Sequence, residues 1–365
     1  MAGPRVFFTG VTGYIGGTVF QTLLTSSNPP SQITPLIRSP EKASLLTSSP
    51  AIASIVPSST TLTPLIGSLS ELDKLRDSSA EADVVVNCAD FDDLPGMKAM
   101  LEGQKKRFEK TGEKGIFIHT SGTGALYDDA RGDYPGKTIY TDLDPSSDPS
   151  THPSISTLDA TAPHRDVDWA LLDADAEGYV KAYIVYPSGV WGFGQGPVFE
   201  EELSYLVSSQ TKTITRIALD RGRVGVCGTG ANIWNHINIT DLGTLYALVY
   251  SKSTSSPPSL PHGRQACFFG AAGEYTLLFA SQAVGKALKK YGILPDADPE
   301  PEQLGEEEVV ERFGGWWCAK NTRGVAENSK SIGWTAVDSK QETFLEHIEG
   351  LVKWYAKQQG YPVKE

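Results

Sequence analysis

Only four cysteines occur in 365 residues, Cys88, Cys227, Cys267 and Cys318, and no two of them form a C-x-x-C pair. No Cys/His cluster has metal-ligand spacing, so a zinc framework and a disulfide scaffold are both set aside, and the thiols read as reduced. The opening MAGPRVFFTG has no cationic stretch followed by a long apolar core, and no apolar run reaches membrane-spanning length. A cytoplasmic protein with no membrane partner is expected. Positive charge is also scarce. The 32 Lys and Arg face 44 Asp and Glu, for a net charge of −12, which repels phosphate backbones and argues against nucleic acid. What remains is an ordinary apolar content of 39% with a mean hydropathy of −0.23. At roughly 150 residues per domain this suggests about two domains.

The first half alternates short apolar runs with helical patterns. Val6–Phe8, Ile33–Ile37, Leu62–Ile66, Val84–Val86, Ile116–Ile118 and Tyr183–Val185 are continuous rather than alternating, as strands buried on both faces of a parallel sheet are. Pro35 and Pro64 lie inside two of these runs, which predicts short, bulged or edge strands there. Ile15, Val19, Phe20, Leu23 and Leu24 form one helical face. The expected class is α/β, a Rossmann-type doubly wound parallel sheet with a smaller C-terminal substrate or cap domain. Residues 1–191 and about 235–270 are expected in the dinucleotide-binding domain, and 192–234 and 271–365 in the cap. Ser/Pro-rich stretches at 26–31, 48–61, 146–156 and 251–261 read as surface loops.

Thr9-Gly10-Val11-Thr12-Gly13-Tyr14-Ile15-Gly16 places G-x-x-G-x-x-G between the first strand and the first helix. Gly10 permits the sharp turn, Gly13 lets a pyrophosphate approach the backbone, and Gly16 lets the helix pack close to the strand. The free N–H groups of the helix then meet phosphate. At the end of the second strand, where NAD-specific folds tend to carry an acid, stand Arg38 and Lys42. Both suit the 2′-phosphate of NADP(H), the expected cofactor.

These motifs resemble the short-chain dehydrogenase/reductase superfamily, in its extended and atypical branches. Further matching pieces are Asp83–Ala89, Ile118–Gly124, Tyr186-Pro187-Ser188-Gly189-Val190-Trp191-Gly192 and Trp234–Leu242. The Arg38–Lys42 stretch also resembles the NmrA-like NADP-binding proteins. The resemblance implies cofactor contacts at Thr9, Gly10, Thr12, Gly13, Tyr14, Ile15, Gly16, Arg38, Lys42, Ala89, Pro187 and Val190. It also implies a Tyr-x-x-x-Lys catalytic pair, and here the chain departs. None of its 14 tyrosines is followed by lysine four residues later. The helix expected over about Leu158–Ala174 carries His164-Arg165-Asp166-Val167-Asp168 instead.

Candidate replacements are Ser121, which matches the family serine that bonds the substrate carbonyl, Thr123 beside it, Tyr127, and His164, since imidazole titrates near neutral pH. Asp168 is expected to pair with a neighbouring arginine. Trp316-Trp317 reads either as a buried pair or as an aromatic pocket wall. Three functions fit. The first is an NADP(H)-dependent reductase or dehydrogenase of a small carbonyl or hydroxyl compound. The second is a redox-neutral enzyme of the same fold, an isomerase, cyclase or rearrangement catalyst. The third is an NADP(H) sensor that binds another protein. A large cavity lined by Ser121 and cap aromatics would favour an enzyme.

Overall fold

Eight strands, every pairing among them parallel, carry the first apolar runs: β1 (Arg5–Thr9), β2 (Gln32–Ile37), β3 (Thr61–Leu62), β4 (Leu65–Ile66), β5 (Val84–Asn87), β6 (Gly115–Thr120), β7 (Val180–Pro187) and β8 (Cys267–Gly270). The computed structural model describes residues 3–146, 151–256 and 258–364, so two of the expected Ser/Pro-rich loops lie partly outside the described residues. The strand order is β8-β7-β6-β5-β1-β2-β3, with β4 also on β2. This is a Rossmann-type doubly wound sheet. Sequence order reverses between β1 and β5, which opens the ligand crevice of such sheets at their carboxyl ends.

The prolines act as their chemistry requires. The third run is split into two two-residue strands around Thr63-Pro64. Ile33 and Ile37 accept from Thr63 and Gly67 of this edge, so odd-numbered residues of β2 face it. Pro35 therefore turns its missing donor toward the break, where no ladder bond is lost.

Buried apolar side chains form two clusters. The first spans both faces of the main sheet, from Phe7 and Phe20 to Tyr246 and Phe269. The second gathers Ile217, Trp234, Ala280, Leu288, Phe344 and Ile348. A three-stranded sheet, Gly273–Thr276, Ile233–Asn238 and Gly189–Trp191, lies between the contributing segments. Ala326 and Trp334, within the stretch assigned to the cap, pack on the first cluster, where the Trp334 indole donates to the Asp241 carbonyl at 3.0 Å. The acidic run over 300–308, which reads as a solvated loop or a helix start, supplies a strand, Glu302–Leu304, on Gly225–Cys227 and then the start of the helix Glu306–Phe313, and Arg221 binds Glu302 and Glu308. Among the described residues no helix is long and apolar enough to cross a membrane.

Three histidines are buried and held neutral. Burial pushes His119 down to about 3, and His236 and His347 each down to about 4. His236 stacks on Phe344 with ring centroids 4.9 Å apart and accepts from the Trp191 indole at 3.0 Å. The unfolded chain binds these protons more readily, so their contribution is complete above pH ~6.5 and is lost as pH falls toward about 4, by about 1.4 kcal/mol per pH unit for each group. Urea unfolding at stepped pH should show this decline. Replacing His236 with an apolar residue of similar volume should flatten it.

Candidate functional site

The site begins at the glycine turn, past the end of β1 and before α1 (Tyr14–Leu24). Gly10 has φ of +87°, and a Cβ there would lie 2.4 Å from the Cys88 carbonyl oxygen. A Cβ on Gly16 would lie 1.9 Å from the Gly10 carbonyl oxygen. Only glycine permits this approach of helix to turn. The first turn of α1 has no side-chain cap and no acid, so its N–H groups and its positive dipole end stay open to an anion. A dinucleotide fits this cradle.

Leu203, Ser204 and Tyr205 cross the turn. Ser204 Oγ donates to the Val11 carbonyl at 2.8 Å, and the Tyr205 N–H donates to Thr12 at 3.2 Å. Lys42, in the first turn of α2 (Pro40–Ser48), donates to the Leu203 carbonyl at 2.7 Å. Burial lowers its pKa, with Glu202 opposing. Arg38 behaves differently. It is exposed at the end of β2, with no hydrogen bond or ion pair among the described residues.

A cavity of about 1080 Å³ opens beside the turn. Gly13, Tyr14, Ile15, Gly16, Lys42, Ala89, Pro187 and Val190 line it, together with Ser121, Thr123, Tyr127 and His164. Of the remaining expected contacts, Thr9 is buried beneath the turn and its hydroxyl donates to the Asn87 carbonyl group. Gly10 and Thr12 shape the turn, and Arg38 stands outside the cavity.

His164 holds the position just before the helix α3 (Arg165–Glu177), at φ +67°. The helix thus starts later than the expected Leu158, because Pro163 disfavours helical geometry in the residue ahead of it. The His164 ring bonds a carboxylate rather than backbone: Nδ1 lies 2.6 Å from Asp92 Oδ1. Phe91 meets it edge-on at 4.4 Å. An ionised carboxylate only accepts, so Nδ1 carries a proton toward Asp92. The ring lies against Gly124, where a Cβ would come within 2.5 Å of Nε2.

Ser121 follows β6 directly and its Oγ donates to Asp168 Oδ2 at 3.1 Å. Asp168 is fully buried and also accepts from Arg165 Nη1 at 3.0 Å and Tyr186 Oη at 2.9 Å. Burial raises the Asp168 carboxyl, and the Arg165 guanidinium opposes this. Behind it, His119 Nε2 stands 3.7 Å from Asp168 Oδ1, while its Nδ1 faces the Asn87 amide nitrogen at 3.2 Å. The arginine partner of Asp168 was legible from sequence, three residues away on one helix. Tyr186, the first residue of the Tyr186–Gly192 segment, joins the same cluster.

Tyr127 and Trp234 lie 5.7 Å apart by ring centroid, and Trp234 and Trp317 6.1 Å. All three line the cavity. Trp317 is thus a pocket wall, while Trp316 lies against the Arg131 guanidinium at 5.3 Å. Sequence reasoning missed Asp92, Phe91, Trp234 and the segment at 203–205. Only the acid run Asp90-Phe91-Asp92-Asp93 after β5 offered a signal.

No family model matches the chain. A curated relative, the oxidase UcsJ of an Acremonium species, is 27% identical over 281 residues, covering 74% of this chain and 73% of that protein. The PbgP3 protein from Burkholderia pseudomallei is similar in structure, with a TM-score of 0.63 at 12% identity over 99% of this chain and 100% of that one. MoeE5, solved with UDP-glucuronic acid and NAD, gives 0.59 at 14% identity over 97% and 99%. At these identities the likeness is one of fold.

Proposed function

We propose that this chain is a cytoplasmic NADP(H)-dependent oxidoreductase of a small hydroxyl or carbonyl compound, an atypical short-chain dehydrogenase/reductase with NmrA-like cofactor features. The observation that carries this reading is His164, oriented by Asp92 and lining the cavity that opens beside the glycine turn. An imidazole fixed by a carboxylate can take a proton from a substrate hydroxyl and return it to a carbonyl product. The bound nicotinamide would supply the hydride acceptor or donor. The first turn of α1 would hold the pyrophosphate, Arg38 the 2′-phosphate, and Pro187 and Val190 would flank the nicotinamide end. The volume of the cavity and its aromatic wall support an enzyme over a sensor. The relative called an oxidase agrees with redox chemistry.

Arg38 supports NADP(H) as the cofactor. Its free guanidinium can meet a 2′-phosphate with two parallel bonds and stack on adenine. A charged hydrogen bond is worth about 1.5–3 kcal/mol, so Arg38→Ala should weaken NADPH binding by about one to two orders of magnitude and leave NADH nearly unchanged. Calorimetric titration with both cofactors tests this. Equal wild-type affinity for NADH and NADPH would overturn the preference, and binding of neither would overturn the function.

A further inference from the structure

We infer that the cavity selects a flat apolar compound, uncharged or cationic, whose polar group on the Ser121 side is a hydrogen-bond donor, a hydroxyl or an amine, rather than a carbonyl. This rests on the oxidoreductase reading and names its substrate class.

The first observation is where the proton of Ser121 points. A serine hydroxyl has one proton, and this one goes to Asp168 Oδ2 at 3.1 Å. The direction is imposed from behind. Asp168 is locked by Arg165 and Tyr186 in a fully buried cluster, and a carboxylate held beside a guanidinium offers no proton in return. Ser121 therefore presents lone pairs to the cavity. A carbonyl oxygen placed beside it would meet lone pairs, leaving a desolvated acceptor unpaired. A hydroxyl or an amine satisfies it.

The second observation is the wall. Trp234 and Trp317 donate their indole protons to the backbone carbonyls of Lys320 and Phe313, each at 2.7 Å. Both line the cavity with their indole protons already spent, which suits a flat apolar or cationic group.

The third is charge. Among the described residues the lysines on the cavity lining are Lys42 and Lys212, matched by Glu200 and Glu202, and no arginine lines it. Lys42 is already bonded to Leu203. With the cations matched by acids, the described lining is poorly suited to a second diphosphate. The solved fold relative MoeE5 binds a UDP-sugar, whereas this lining favours a different substrate.

The test is equilibrium binding, independent of turnover. Calorimetric titrations use 1-(2-naphthyl)ethanol, its ketone 2-acetylnaphthalene, which is nearly identical in shape, and UDP-glucose. The alcohol should bind the wild-type protein about five- to tenfold more tightly than the ketone, the worth of one neutral hydrogen bond, and more tightly than UDP-glucose. Ser121→Ala should bring alcohol and ketone within about twofold, and Trp234→Ala should weaken both together. A ketone that binds as tightly as the alcohol, a preference for UDP-glucose, or no binding by either naphthyl compound would each overturn the proposal. NADPH titrated into the same samples separates the two readings. NADPH binding with a ketone preference sinks the donor rule alone, and absence of NADPH and NADH binding sinks the oxidoreductase reading.

Discussion

His164→Ala should lower turnover by about two to four orders of magnitude, the usual loss on removing a positioned acid–base group, while NADPH affinity stays unchanged. The ring has a dedicated carboxylate partner at 2.6 Å and a space kept open by Gly124. The His164 backbone sits at φ +67°, a conformation that costs a non-glycine residue on the order of 1 kcal/mol. His164→Gly should relieve that cost, giving a protein as stable as the wild type or up to about 1 kcal/mol more stable, yet equally impaired. Asp92→Ala should cause a smaller loss, because it frees the ring to rotate without removing it. Steady-state rates on a substrate identified by NADPH oxidation or NADP reduction, with urea unfolding alongside, separate the two effects. Unchanged turnover in His164→Ala would return the residue to a helix-start role.

Asp168→Ala should cost about 3–5 kcal/mol of folding stability, because it strands the Arg165 guanidinium in the core without a counter-charge. Arg165 is itself fully buried, with its Nη1 on both Asp168 and the Tyr186 hydroxyl. Removing the arginine together with the acid, as Arg165→Met/Asp168→Leu, should recover much of that loss, since a buried ion pair is often matched by apolar residues of similar volume. The double variant separates stability from function. It should fold, bind NADPH and lose the discrimination between alcohol and ketone, because the Ser121 proton is no longer directed. Urea unfolding of the single and double variants checks the first part. A single variant as stable as the wild type would show that the cluster is not an ion pair of consequence.

The sheet was legible where its signals are local. Val84–Val86 and Ile116–Ile118 read as strands because a strand covered on both faces needs apolar residues at every position. The glycine turn was legible because one short strand–turn–helix unit holds all of it. Pro64 announced a broken strand, and the structure places the break on the sheet edge. Asp168 with Arg165 was legible too, as residues three apart on one helix meet. Composition and charge also excluded nucleic acid and metal frameworks as leading readings without any coordinates.

The chemistry of the site was decided only in three dimensions. His164 gains its meaning from Asp92, 72 residues away, and Ser121 from Asp168, 47 residues away. Neither pairing leaves a periodic or spacing signal, because in each a residue past a strand end meets one at the start of the helix Arg165–Glu177, and their approach depends on the whole sheet closing. The direction of the Ser121 proton was inaccessible from sequence, for a serine reads equally as donor or acceptor until its neighbour is known. Trp317 and Trp234 became a wall only when two chain segments packed against Tyr127. Local periodicity specifies which residues are buried and in what element. Which buried polar groups meet is settled by the tertiary fold, because hydrogen bonds form between atoms within about 3 Å whatever their separation along the chain.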